Sequence, residues 1–323
     1  MTAPGRHILV KCLAARETSS AYNPPMSSRK GLVARLRRIL ELAERVLEDF
    51  AGLPPAARLF DQHLAFRWDV SRGPGRIVPI VEPDGFELDD LIGVEAAVAS
   101  LAANVEQFIG GHPSNHALLF GARGTGKSSA VKGLLTRFGS QGLRIVEVHK
   151  ADLAHLPSVL AALRGSSHRF VLFCDDLSFE SGESEYRELK AALEGSLVAP
   201  PQNVSIIVTS NRRHLLPESA ADNQSVRLDE AGELQLGEAI DEKLALSDRF
   251  GLVLGFYSFD QSTYLSIVDH YAKKADLRTP PEEVKQAALR WALRRSSRSG
   301  RTARQFVDDL AGREAITRPR GQP

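Results

Sequence analysis

Between Phe86 and about Ser258, short apolar runs alternate with stretches in which apolar residues recur every three to four positions. That alternation predicts a parallel sheet wrapped by helices, an α/β fold with five strands. The strands fall at 117–120, 143–148, 169–174, 203–209 and 252–257, and the helices at about 94–109, 128–138, 155–164, 183–194 and 236–245. From Asp260 onward the pattern is helical throughout, over 260–275, 281–295 and 301–315. Upstream, Leu32, Leu36, Ile39, Leu40, Ala43, Val46 and Leu47 form one stripe, so a helix is expected over Ser28 to Phe50. A second short helix is expected over Ala56 to Phe66. Ser71 to Gly75 then breaks the chain, and Arg76 to Val81 fits a strand. The expected organisation is therefore a mostly helical accessory region at 1–85, an α/β domain at 86–258, an all-helical lid at 259–316 and a disordered tail at 317–323.

Bulk composition adds mostly exclusions. The 323 residues are 43% hydrophobic and 25% charged with a net charge of +1, as for an ordinary globular protein. No run of eighteen apolar residues exists, so no membrane span is expected. Lys11 splits the one candidate signal-peptide core in Met1 to Ser20, which makes cytoplasm the expected location. Cys12 and Cys174 stand in unlike contexts, and neither a disulfide framework nor a zinc site is supported. His112 and His116 have a ligand-like spacing, but Gly111 and Pro113 make that segment a loop. Trp68, Trp291 and Cys174 read as packing residues.

Arginines and lysines cluster twice: Arg29, Lys30, Arg35, Arg37 and Arg38 near the start, and Arg290, Arg294, Arg295, Arg298, Arg301 and Arg304 near the end. Such a cluster suits nucleic acid, a solvated or partner-facing helix, or the phosphates of a nucleotide. For the first cluster the solvated or partner-facing helix is favoured.

Chemistry concentrates where the apolar run Leu118-Leu-Phe120 empties into Gly121-Ala-Arg-Gly-Thr-Gly126-Lys127-Ser128, a gapless G-x-x-x-x-G-K-[ST] followed by a helical pattern. Glycines at 121, 124 and 126 let consecutive N–H groups converge on phosphates. Ala122, Arg123, Thr125 and Ser129 complete the loop. Lys127 is placed to meet the β- and γ-phosphates, and the Ser128 hydroxyl to ligate Mg²⁺, at a helix N-terminus that itself favours anions. A second apolar run ends in Asp175-Asp176, and Asp175 is the expected carboxylate partner of that ion. A third ends in Thr209-Ser-Asn211, where Asn211 can hydrogen-bond an attacking water or the γ-phosphate. Arg249 precedes the last strand, and Gly300-Arg301 opens a late helix from which a guanidinium can reach phosphate.

In this order the motifs resemble the AAA+ ATPase superfamily, over about residues 86 to 315. The resemblance makes Gly121 to Ser128 similar to Walker A, Phe170 to Asp176 to Walker B, Asn211 to sensor 1, Arg249 to the arginine finger and Arg301 to sensor 2. It also makes Asp89-Asp-Leu-Ile-Gly93 similar to the adenine-pocket segment, with Leu91, Ile92 and Gly93 as nucleotide contacts. More narrowly, GARGTGKSS, DDLSFE, TSNRRHL, LSDRFGL and SGRTARQF together resemble the DUF815 family of bacterial ATP-binding proteins. Where the superfamily usually ends Walker B in Asp-Glu, this chain has Asp176, one methylene shorter. Asp176 is preferred to Glu180 as the water-activating base, and slow hydrolysis is a consequence to be expected.

The resemblance implies ATP and Mg²⁺ as ligands, ATP hydrolysis, and a homo-oligomer in which Arg249 completes a neighbouring subunit's site. The preferred function is remodelling or assembly of a macromolecular partner, protein or DNA. The alternative is an ATP-gated switch on DNA, as in initiators or helicase loaders. A small-molecule P-loop kinase is disfavoured by the helical C-terminal region.

Overall fold

The computed structural model describes residues 35–40, 57–71, 73, 75–179, 184–194, 201–213, 215, 227–228, 234–235 and 246–317. The chain divides into two units, 1–49 and 50–323. In the first, residues 35–40 (α1) are helical, as the stripe predicts, and the remainder of that expected helix lies outside the described residues.

The second unit is built on a sheet whose strands run β1 (Ala65–Asp69), β2 (Arg76–Ile80), β3 (Ala117–Gly121), β4 (Leu143–Glu147), β5 (Arg169–Cys174), β6 (Val204–Ser210) and β9 (Leu252–Phe256). Their spatial order is β2-β1-β4-β5-β6-β3-β9. All neighbours are parallel except the β1–β2 hairpin, whose register pairs Trp68 with Ile77. A separate two-residue pair, β7 (Arg227–Leu228) and β8 (Leu234–Gln235), is antiparallel.

The five expected strands appear within a residue or so of their expected bounds, but the sheet has seven. Of the two additional strands, β2 (Arg76–Ile80) matches the strand expected over Arg76 to Val81, and β1 (Ala65–Asp69) begins where a helix was expected. The helix expected over Ala56 to Phe66 is only α2 (Ala57–Gln62), and the chain from Ala65 is extended. The reason is tertiary: Ala65, Phe66 and Trp68 are all buried, and Ala65 to Arg67 pair in register with Ile145 to Glu147 of β4. Ala65 to Asp69 is too short for its pattern to separate strand from helix, so the partner decides.

Alternate strand residues feed two cores. Phe170, Leu172 and Cys174 of β5 face one side, with Leu156, Val159 and Leu163 of α5 (Leu156–Leu163) and Leu189 of α6 (Ser184–Glu194). Val171 and Phe173 face the other, with Leu101 and Val105 of α3 (Glu95–Ile109) and Leu134 of α4 (Lys127–Phe138). A period of two along each strand and a helical layer on each face give the three-layer α/β architecture. Val131, Leu134, Leu135 and Phe138 are all buried, as their spacing predicts. The helix expected at 236–245 lies outside the described residues.

Three helices follow: α7 (Gln261–Lys274), α8 (Pro281–Arg295) and α9 (Gly300–Thr317). Asp260 caps α7 by accepting from Thr263 N–H at 2.7 Å. The three close on their own core of Tyr264, Ile267, Val268, Val284, Ala288 and Phe306. Helix α9 runs to Thr317, the first residue of the expected disordered tail, and 318–323 lie outside the described residues. Trp68 is buried as expected, and Trp291 packs against the helical core, 6.0 Å from Phe306.

Candidate nucleotide site

At the C-terminal ends of β3, β5 and β6, the loop entering α4 meets the first turns of α9. A cleft of about 490 Å³ opens there, within the range for small-molecule sites. One end is polar, lined by residues 123–129 with Asp175, Asp176, Thr209, Asn211 and Arg301, while Arg304 lies over the Tyr271 ring, 6.0 Å from its centre. The other is largely apolar, lined by Phe86, Leu91, Ile92, Phe259, Ile267 and Tyr271. A flat base suits the second end and a chain of phosphates the first.

The loop's shape follows from its glycines. Gly124 has φ +74, and a Cβ there would lie 2.8 Å from Ser299 Oγ. Gly126 has φ +103, and a Cβ would lie 2.5 Å from Leu91 Cδ2. Only glycine supplies that backbone and that closeness together. Gly126 is also the N-cap of α4 and offers no capping side chain, so the first-turn N–H groups remain available to an anion.

Lys127 is buried, and its ammonium donates to Gly121 O (2.9 Å), Ala122 O (2.8 Å) and Asn211 Oδ1 (3.1 Å). Burial holds it below the usual lysine value; the carboxylates of Asp176 and Asp175 oppose that shift, and Arg123 and Arg301 add to it. All three of its donors are used, so a phosphate oxygen must replace one of these acceptors.

Asn211 in turn donates through Nδ2 to the Asp176 carboxylate. Asp176 stands at φ +50, a conformation aspartate tolerates at some cost, and its own N–H donates to Thr209 Oγ1 at 2.8 Å. Thr209 Oγ1 donates to Asp175 Oδ1 at 2.5 Å, and Ser128 Oγ donates to the same oxygen at 2.6 Å. Lys127, Asn211, Asp176, Thr209, Asp175 and Ser128 thus form one connected network joining two strand ends and a helix.

Ser128 Oγ and Asp175 Oδ1 are hard oxygen donors already adjacent, a set that suits Mg²⁺. Among the described residues no group of three or more His, Cys, Asp or Glu could hold a metal. An ion here would draw its remaining ligands from water and phosphate, as Mg²⁺ does.

The helical region reaches the loop through α9. Arg301 N–H donates to Gly124 O at 3.3 Å, and Ser299 Oγ accepts from Thr302 N–H at 3.2 Å, capping the helix that carries Arg301 and Arg304 into the cleft. A second link lies at the base end. Asp90, in the 3₁₀ turn Leu88–Asp90, accepts from His270 Nε2 at 2.8 Å and Lys274 Nζ at 2.6 Å, both on α7.

Most of the expected site residues line the cleft. Gly121, Ala122 and Gly93 stand just behind it: the first two present carbonyls to Lys127, and Gly93 packs against Phe259 and Thr263. Arg249 is exposed and does not line this cleft. Glu180 lies outside the described residues. His116 is half-buried, and its Nδ1 accepts from Ile206 N–H at 3.0 Å, which gives it a structural task. Cys174 is buried and its thiol is pushed up to about 12 by burial and by Asp175 and Glu147, so it is inert packing. The sequence disclosed neither Thr209 and Ser299 nor the aromatic residues Phe86, Phe259 and Tyr271 as part of the site. Arg304, one turn beyond Arg301 on the same helix, was legible only as a member of the late arginine cluster.

Sheet, glycine loop and helical cap together give the chain the fold of a P-loop NTPase. A family model described as "Protein of unknown function (DUF815)" matches residues 61–314, and the chain belongs to that family. Among solved structures it is similar to Thermotoga maritima RuvB, described as a Holliday junction branch migration motor, at 18% identity and a TM-score of 0.48 over 71% of this chain. The chain spans 65% of that RuvB chain's length. It is also similar to the FIGL-1 AAA domain in complex with ADP, at 18% identity and a TM-score of 0.46, covering 73% of this chain and 77% of that one. No curated protein matches. No helix among the described residues is long and apolar enough to cross a membrane.

Proposed function

We propose that this protein binds ATP with Mg²⁺, hydrolyses it to ADP and phosphate, and couples the cycle to remodelling or assembly of a macromolecular partner. The network running from Lys127 through Asn211, Asp176, Thr209 and Asp175 to Ser128 carries this reading. It links the groups that would hold phosphate to those that would hold metal and water. Ser128 and Asp175 would hold Mg²⁺, which when bound offsets phosphate charge. Lys127 exchanges an internal acceptor for a phosphate oxygen. Asn211, released from Lys127, orients a water, and the Asp176 carboxylate, held by Asn211 and by its own backbone, accepts that water's proton. Its short side chain fits slow turnover.

Arg249 is proposed to serve the site of a neighbouring copy in a homo-oligomer, for which its exposure and its place outside the lining of its own cleft are the support. The test is Arg249→Ala. Phosphate release per subunit by the wild type should rise with protein concentration. In the variant it should stay low and flat, with ATP affinity kept within about threefold; unchanged turnover would remove the assignment. Fingers of this kind contribute roughly 10³–10⁵ in rate in other phosphoryl-transfer systems.

The second reading, an ATP-gated switch on DNA, draws on the arginines of the helical region.

A further inference from the structure

Helix α8 and the turn after it carry Arg290, Arg294, Arg295 and Arg298, all exposed, and no acidic residue occurs between Arg290 and Arg304. Elsewhere on these helices surface cations pair with carboxylates: Lys273 with Asp269, Lys285 with Glu282, and Arg313 with Asp309. None of the four arginines has a carboxylate partner among the described residues. Arg294 and Arg295 instead lie over the Trp291 ring, 5.7 and 4.9 Å from its centre, and Arg295 donates to Gln305 Oε1 at 3.3 Å. Cations in the last turn of a helix complement its dipole, which accounts for Arg294 and Arg295 but not for Arg290, a turn earlier, or Arg298, beyond the end.

We propose that this face binds the phosphate backbone of a nucleic acid. Guanidinium rather than ammonium groups are used throughout, and these meet phosphate with two parallel hydrogen bonds. The patch is also too charged for the core of a protein–protein contact, where charged residues are depleted, and suits the strongly positive surfaces that meet nucleic acid. Its position gives it a route to the cleft. The connection from Arg298 to Arg304 begins in the patch, presses Ser299 against Gly124 of the phosphate loop, and ends with Arg301 and Arg304 lining the cleft. A polyanion on the outer arginines and a nucleotide on the inner ones therefore bias one segment, and each should change the affinity of the other by the same factor. That coupling rests on the ATP reading; the surface itself does not.

The test is fluorescence anisotropy of the full chain with labelled single-stranded and duplex DNA, from about 50 to 200 mM salt, with and without MgATP. Wild type should bind with affinity falling steeply with salt. The triple variant Arg290→Gln, Arg294→Gln, Arg298→Gln should lose at least about tenfold in affinity, and its log–log salt slope should shrink by roughly 0.9 for each phosphate contact removed. Its basal phosphate release should match wild type, and the corresponding Arg→Lys triple should retain most of the slope. Equal binding by wild type and the Gln triple overturns the proposal, as does a wild type that captures polyglutamate but no DNA at 50 mM salt. If wild type takes up no ATP yet the DNA loss appears in the Gln triple, the ATPase reading falls and the surface stands.

Discussion

The amide oxygen of Asn211 lies 3.1 Å from the Lys127 ammonium, and this contact joins the phosphate loop to the acids at the end of β5. The two residues are 84 positions apart, and the parallel pairing of β3 with β6 brings them together. In this arrangement Lys127 and Asp176 are both engaged with Asn211, so a phosphate that displaces Asn211 from Lys127 also alters what holds Asp176.

Replacing Asn211 by Ala removes that junction without touching the loop. ATP affinity should stay within a few-fold, whereas phosphate release should fall by roughly 10²-fold, the scale of misplacing a general base or its water. Release rates and nucleotide titration measure the two separately. Turnover equal to wild type would exclude Asn211 from the chemistry.

Gly124→Ala examines the seam between the loop and α9. The added methyl meets Ser299 Oγ at 2.8 Å on a backbone at φ +74, which costs about 1–3 kcal/mol. The melting temperature should drop, and ATP affinity should fall at least about tenfold because the loop and Arg301 can no longer hold their relative positions. Gly142→Ala, at φ +95 with nothing near its Cβ, provides the control: similar strain and no loss of nucleotide.

Asp90 gives a dependence on pH. Burial works against its charge, but hydrogen bonds from Lys274 and His270 outweigh that and hold the carboxyl below the usual aspartate value of 3.8. A carboxylate depressed by folding stabilises the protein above its unfolded value, and that contribution fades as pH falls through the folded one. In urea titrations Asp90→Asn should therefore be less stable than wild type by about 1–2 kcal/mol at neutral pH, the scale of hydrogen bonds to a charged group. The gap should close as pH drops below about 3.8. A gap that stays constant with pH would show that Asp90 acts by shape alone.

What the sequence disclosed and what it hid divide along a physical line. Gly121 to Ser128 are contiguous, and each residue's task follows from its own backbone freedom or charge, so the loop was legible. Asp175 and Asn211 were legible because an apolar strand delivers its last residues to one edge of a parallel sheet. Thr209 was not: a strand threonine bridging two acids has no local mark. Phe86 is far in sequence from Phe259 and Tyr271, which flank and lie on α7, and only the docking of that helix makes the three neighbours. Strand β1 was hidden for the same reason, since β4 supplies the partner that turns Ala65 to Asp69 into a strand, whereas β2 was legible at Arg76 to Val81.

The central claim is that the cleft takes a nucleoside triphosphate on Lys127 and the first turn of α4. Isothermal titration with MgATP tests it most directly, on wild type and on Lys127→Ala. The account predicts saturable one-to-one binding by wild type and an affinity at least about tenfold to hundredfold weaker in the variant, as loss of charged hydrogen bonds implies. Absence of heat or saturation with wild type at millimolar MgATP, or a variant that binds as well as wild type, would contradict it.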